Sequence, residues 1–166
     1  MPERPERRGI GVFILPTGEG WCILAGSKTD FFENRVLNIA LRGALQAAAV
    51  TPYVALLTGT LTGDTPGTEV TGGGYARVSA PAATWGPTSG AAGDSTAGTL
   101  TNAAVITFPT STGAWSAGAS ITHFGIFDAA TVGNALYYGD LTTPQTVGAT
   151  GITVSFALGT LTLTEG

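Results

Sequence analysis

One change of hydrophobic period, at Tyr53, limits the folds open to this chain. Ahead of it, Leu37, Leu41 and Leu45 stand four apart, with Phe32, Val36, Ile39 and Ala40 on a neighbouring stripe, the spacing of one amphipathic helix. Behind it, apolar residues come only in short runs broken by Gly, Thr, Pro and Asn. The runs at 53–58, 75–79, 103–108, 121–127, 135–141, 152–156 and 160–164 all have strand length. In the last two the alternation is clean: Ile152, Val154 and Phe156 share a face with Thr153 and Ser155 opposite, and Leu161 and Leu163 alternate with Thr160, Thr162 and Thr164. Residues 54–57 and 124–127 are apolar on both faces, which predicts cover on both sides, one face by the helix. About seven short strands with turn signals between them predict a mainly β chain, an antiparallel β-sandwich with one N-terminal helix. The 25 glycines fit many tight turns and few long helices.

The helix is expected to open at Asp30, because Glu33 three residues on completes the spacing of a capping box. It is expected to stop before Thr51-Pro52, since the residue preceding a proline is pushed out of the α region. Its apolar face is wide, so the expectation is that most of it is covered. Three segments follow: an N-terminal arm and β-hairpin at 1–29, the helix and a linker at 30–51, and the sandwich at 52–166. Within the first, Arg4, Arg7 and Arg8 stand among prolines and glutamates without apolar periodicity, the pattern of an arm. The apolar runs 12–15 and 21–24 flank a loop with turn chemistry at 16–20, the pattern of a hairpin. A lone hairpin is marginal in water, so this one is expected to lie on something. Residues 61–74 and 85–101 read as irregular loops at an edge of the sandwich.

Charge bears on partners. Only 11% of residues are charged against 43% hydrophobic, well below the roughly 25% charged of ordinary soluble domains. The exterior must then be largely Thr, Ser, Ala and Gly, or be covered by other protein. A formal net charge of −4 disfavours nucleic acid, whose non-specific affinity comes from Lys and Arg displacing counterions. Cys22 is the only cysteine, so no intramolecular disulfide holds the fold, and assembly in a reducing cytoplasm fits. No apolar run approaches the length of a membrane span, and the N-terminal apolar stretch is broken at 16–20, so the mature chain is expected to begin near Met1.

Residues that could carry chemistry are few. His123 is the sole histidine, inside a predicted strand, and a structural hydrogen-bonding role is expected of it. Gly72-Gly73-Gly74 invites a phosphate-loop reading, but Tyr75-Ala76-Arg77-Val78 behind it is a strand pattern without the required lysine, so a turn leading into a strand is expected. Asp128 and Asp140 each end a predicted strand beside a turn, where Asp commonly bonds its own backbone, rather than forming a carboxylate pair for hydrolysis. No catalytic residue, metal site or cofactor is expected, and the chain is expected not to be an enzyme.

Several blocks carry a resemblance. Tyr53-Val54-Ala55-Leu56-Leu57-Thr58, Gly67-Thr68-Glu69-Val70-Thr71-Gly72-Gly73-Gly74-Tyr75-Ala76-Arg77-Val78, Asn102-Ala103-Ala104-Val105-Ile106-Thr107-Phe108-Pro109, Ile121-Thr122-His123-Phe124-Gly125-Ile126-Phe127-Asp128-Ala129 and Leu136-Tyr137-Tyr138-Gly139-Asp140-Leu141 occur in order behind the helix beginning Phe31-Phe32-Glu33-Asn34-Arg35-Val36-Leu37. Together they resemble a family of small virion proteins of tailed bacteriophages, often labelled tail fibre and including members like capsid cement or decoration proteins. The resemblance spans about residues 30–164; residues 1–29 depart from it as an added arm and hairpin. It implies a β-sandwich that oligomerises on the virion, with a homotrimer expected.

The function expected on these grounds is capsid cement, bridging major capsid protein subunits and opposing the pressure of packaged DNA. The hairpin residues Phe13, Ile14, Leu15, Trp21 and Ile23 are the expected contacts, with Arg4, Arg7 and Arg8 reaching further. The alternative is a tail fibre or tail-tip component touching the host surface, in which the two loops meet glycans through Trp85 and Trp115. No nucleic acid or membrane partner is expected on either reading.

Overall fold

The computed structural model describes residues 27–43, 50–59, 67–87 and 98–164. Across these, one helix and nine strands follow in the order β1 (Ser27–Lys28), α1 (Asp30–Arg42), β2 (Tyr53–Leu57), β3 (Val78–Ser79), β4 (Thr99–Thr101), β5 (Ile106–Thr107), β6 (Ser120–Phe127), β7 (Ala135–Thr146), β8 (Ser155–Phe156) and β9 (Thr162–Thr164). The principal sheet has the order β1-β7-β6-β2-β3, and two ribbons, β4-β9 and β5-β8, complete the strand set. Every pairing is antiparallel. A mainly β chain with sandwich-like layering and one helix was therefore legible in the sequence.

The layers meet on one core. Val54 and Leu56 of β2, Phe124 and Ile126 of β6 and Leu141 of β7 pack with Ile106, Phe156 and Leu163 from the ribbons. Aromatic edges join it: Phe156 lies 6.1 Å from Phe108 and 6.4 Å from Phe124, both near perpendicular, the arrangement that sets a positive ring edge on a negative ring face. A second cluster, Ala55, Leu57, Phe127 and Ala135, occupies the opposite face of the same sheet. Residues 54–57 and 124–127 are accordingly buried throughout, as their unbroken apolar character predicts.

Differences from the predicted elements have local causes. Thr29, and not Asp30, caps α1: its hydroxyl accepts from the Phe32 amide at 3.3 Å and donates to the Ala135 carbonyl at 2.5 Å. Asp30 and Glu33 sit instead in the first turn, where carboxylates suit the positive end of the helix. The helix stops at Arg42, nine residues before the predicted proline stop, because Gly43 takes a left-handed conformation (φ 61°) and its amide returns to the Asn38 carbonyl. The stretch 85–101, expected to be irregular, contributes β4, whose register sets Leu100 opposite Leu163 and Thr101 opposite Thr162. β7 runs five residues past its predicted end and through Pro144; β1 pairs with it only at Tyr137 and Tyr138, so Pro144 lies beyond that partner, where a missing amide costs no ladder bond on that side. Ile152 departs from its expected face: it is exposed while Val154 and Phe156 are buried.

Candidate interaction surface

The loop joining β6 to β7 is fixed from both ends. Both carboxylate oxygens of Asp128 are engaged by Asn134, one by its backbone amide at 2.6 Å and the other by its side-chain amide at 2.9 Å. Gly133, at φ 73°, sits where an added Cβ would strike the Asp128 carboxylate and come within 2.7 Å of Ala129. From below, Arg77 donates to the carbonyls of Ala129 and Val132, each at 2.8 Å. These contacts hold Val132 at φ 56°, a left-handed conformation unusual for a β-branched residue, with 86% of its surface in water.

Arg77 has only 6% of its side chain exposed and is compensated on every side. Its guanidinium makes two bonds to Glu69, at 2.9 and 2.7 Å, and stands 3.7 Å from the centre of the Phe127 ring. The forked bond to a carboxylate is the geometry arginine alone provides. Glu69 also accepts from the Tyr75 hydroxyl at 3.2 Å, and that hydroxyl accepts from the Leu56 amide at 2.9 Å. Burial, above all, raises the Tyr75 phenol well beyond its ordinary 10.0. The phenol thus stays neutral and ties the loop before β3 to the middle of β2.

Helix α1 behaves unlike the rest of the molecule. None of its residues is buried. It is anchored at its start, through Thr29 and through Phe32, whose ring lies 5.0 Å from Tyr137. Phe31, Arg35 and Asn38 are half-buried along one stripe, whereas Leu37 and Leu41, on another stripe, are 55% and 79% exposed. Val36, Ile39 and Ala40 are exposed beside them. Among the described residues, then, the wide apolar face is not mostly covered and does not cover the central strands, contrary to expectation. Arg35 and Asn38 share the half-covered stripe with Phe31, and the leucines face water.

The residues singled out from the sequence fall as follows. Arg4, Arg7, Arg8, Phe13, Ile14, Leu15, Trp21 and Ile23 lie outside the described residues. Trp115, expected as an exposed glycan contact, is completely buried, its indole N–H donating to the Gly73 carbonyl at 2.9 Å. It packs edge-on against Tyr75 and Phe108, so it belongs to the core. Trp85 is half-buried with its N–H donated to the Ala80 carbonyl at 2.9 Å. Gly72, Gly73 and Gly74 form a turn of three left-handed residues, and a Cβ on Gly73 would collide with the Gly113 carbonyl and the Trp115 ring. The turn leads through 75–77 into β3, which starts at Val78 and not at Tyr75.

His123 stands opposite Asp140 in the β6–β7 register, its Nε2 2.8 Å from the carboxylate, with the Thr122 hydroxyl 2.6 Å from Nδ1. Hydroxyl, imidazole and carboxylate occur here in the order of a nucleophile relay. Asp140, however, is 72% exposed, whereas the carboxylate of a working relay is buried to orient its imidazole. The trio is a cross-strand contact at the sheet surface. Among the described residues no three His, Cys, Asp or Glu side chains gather to hold a metal, and no helix is long and apolar enough to cross a membrane.

The described residues thus form a mainly β, sandwich-like framework with pinned turns and one helix whose leucines face water. Residues 27–164 match the family described as Podophage GP4 fiber I protein gp80, and the chain belongs to that family. It is a structural protein of the tailed-phage virion. No curated protein matches its sequence.

Proposed function

We propose that the chain is a non-catalytic cement or decoration protein of the phage head, holding coat subunits together against the pressure of packaged DNA. The observation that carries this reading is the boundary of the family match. It begins at residue 27, the first residue of β1, leaving 26 residues ahead of the shared fold. That extension contains Arg4, Arg7 and Arg8 and the apolar residues Phe13, Ile14, Leu15, Trp21 and Ile23. A low-charge domain with such an arm suits attachment by many weak contacts, each burying apolar area at about 25 cal/mol per Å² and multiplied by symmetric repetition. The major capsid protein is the partner this reading requires.

The family's name favours a second reading, a fibre component on the tail. Copy number separates the two. Quantified band intensities from purified particles are expected to give a count in the hundreds, as a shell of repeated coat subunits demands; a handful of copies would assign the chain to the tail. Particles lacking the protein are expected to release DNA on heating or osmotic shock under conditions that leave complete particles intact. Unchanged resistance would reject cement.

A further inference from the structure

We infer that α1 is a self-association surface, and that two copies of the chain pair through it with their helices antiparallel. The apolar side chains Val36, Leu37, Ala40 and Leu41 of this 13-residue helix face water, whereas its half-covered stripe contains Arg35 and Asn38. A helix that seats Phe31 and Phe32 at its start and turns its leucines outward further along is placed for a further partner. This inference is independent of whether the protein stands on the head or the tail.

Charge selects the occupant. The first turn carries Asp30 and Glu33 and the last turn carries Arg42. Two antiparallel copies set the acidic turn of each beside the basic turn of the other, twice over by the twofold axis, and oppose the two helix dipoles favourably. Parallel helices, as in the threefold arrangement implied by the family resemblance, would gather Asp30 with Asp30 and Arg42 with Arg42. Thirteen residues make a helix only about 20 Å long, so the contact alone falls short of the roughly 1,000 Å² of a free-standing interface. Pairing should thus be concentration-dependent in solution and become firm where copies are held close together on a particle.

The test uses the full chain with Cys22→Ser as background. Asp30→Cys and Arg42→Cys place thiols at opposite ends of the helix, about 18 Å apart along its axis. With a short bis-maleimide, a mixture of the two variants is expected to give a bridged dimer, and each variant alone very little. Adding Leu41→Glu should abolish the bridge and move the dimer–monomer equilibrium in sedimentation at least tenfold towards monomer. Because Leu41 is mostly in water in the single chain, the melting temperature at dilutions where the protein is monomeric should not change, whereas at higher concentration the variant should lose the stabilisation that pairing adds. Bridging of each variant with itself would mean parallel helices and overturn the proposal. So would the absence of any bridge together with sedimentation unaffected by Leu41→Glu. A Leu41→Cys thiol shielded from maleimide at every dilution would assign the face to another part of the same chain, and equally overturn it.

Discussion

Glu69 is where three otherwise separate parts of the chain converge. It accepts from Arg77 and from Tyr75, and through them the loop after β6 and the middle of β2 are tied to one carboxylate. The consequence for pH follows from Tyr75. Its folded-state pKa is raised, chiefly by burial, so the fold holds the phenolic proton more tightly than the unfolded chain does. Below the unfolded value near 10 both states keep that proton and the group contributes no pH dependence; above it the unfolded chain ionises first and stability falls as pH rises. Tyr75→Phe should therefore flatten the loss of stability above about pH 10, read from denaturant midpoints across the alkaline range. At neutral pH the same variant should cost about 1–3 kcal/mol, because the buried Leu56 amide loses its acceptor. If wild type and variant lose stability in parallel through that range, Tyr75 is not the group responsible. Sequence reading found the glycines of this region, since Gly72-Gly73-Gly74 advertises left-handed backbone. It could not find the role of Arg77, whose bonded carbonyls at Ala129 and Val132 are more than fifty positions away.

Among the elements, strands were more legible than their ends, and the helix was legible in kind but not in placement. Strand alternation records which face is buried, so the pattern of Leu161 and Leu163 against Thr160, Thr162 and Thr164 carried through to the structure. Strand length depends on partners that alternation does not name; β4 exists because Leu100 finds Leu163 across a ribbon closed from far along the chain. For α1, a wide apolar arc states that cover is needed without saying who supplies it. Its cap was misplaced by one residue because Asp30 and Glu33 satisfy the capping-box spacing, whereas Thr29 has a second reason to be the cap. That residue is buried and its hydroxyl also holds the Ala135 carbonyl, so it fastens the helix to β7. Thr29→Ala should cost about 1–2 kcal/mol, the upper range for a lost cap, and loosen the helix before the sheet. Amide exchange should show this as faster exchange in the first turn of α1 with β6 protection unchanged. Equal acceleration in both would mean that the helix and the sheet open as one unit.

At the scale of the whole molecule, the family match begins at residue 27, and 26 residues of the sequence stand ahead of it. Class was legible because the period change at Tyr53 and the ordered blocks behind it constrain both fold and family. Residues that touch another protein are not legible in that way, because such a residue carries no requirement within its own chain. The proposed arm can be tested by substitution. Replacing Arg4, Arg7 and Arg8 by Ser removes three positive charges ahead of the family match, and on the arm reading, which sets them in solvent, such substitutions usually change stability by within about 0.5 kcal/mol each. The melting temperature of the isolated protein should therefore hold. If the arginines grip an acidic patch of coat subunits, particle occupancy should fall, and the remaining attachment should depend less steeply on salt, since exposed charge pairs are screened beyond about 10 Å at 0.1 M ionic strength. Loss of occupancy with an unaltered salt dependence would point to the apolar residues Phe13, Ile14, Leu15, Trp21 and Ile23 as the grip. Full occupancy at every salt concentration would remove the arm from the attachment altogether and leave the surfaces of the shared fold to account for it.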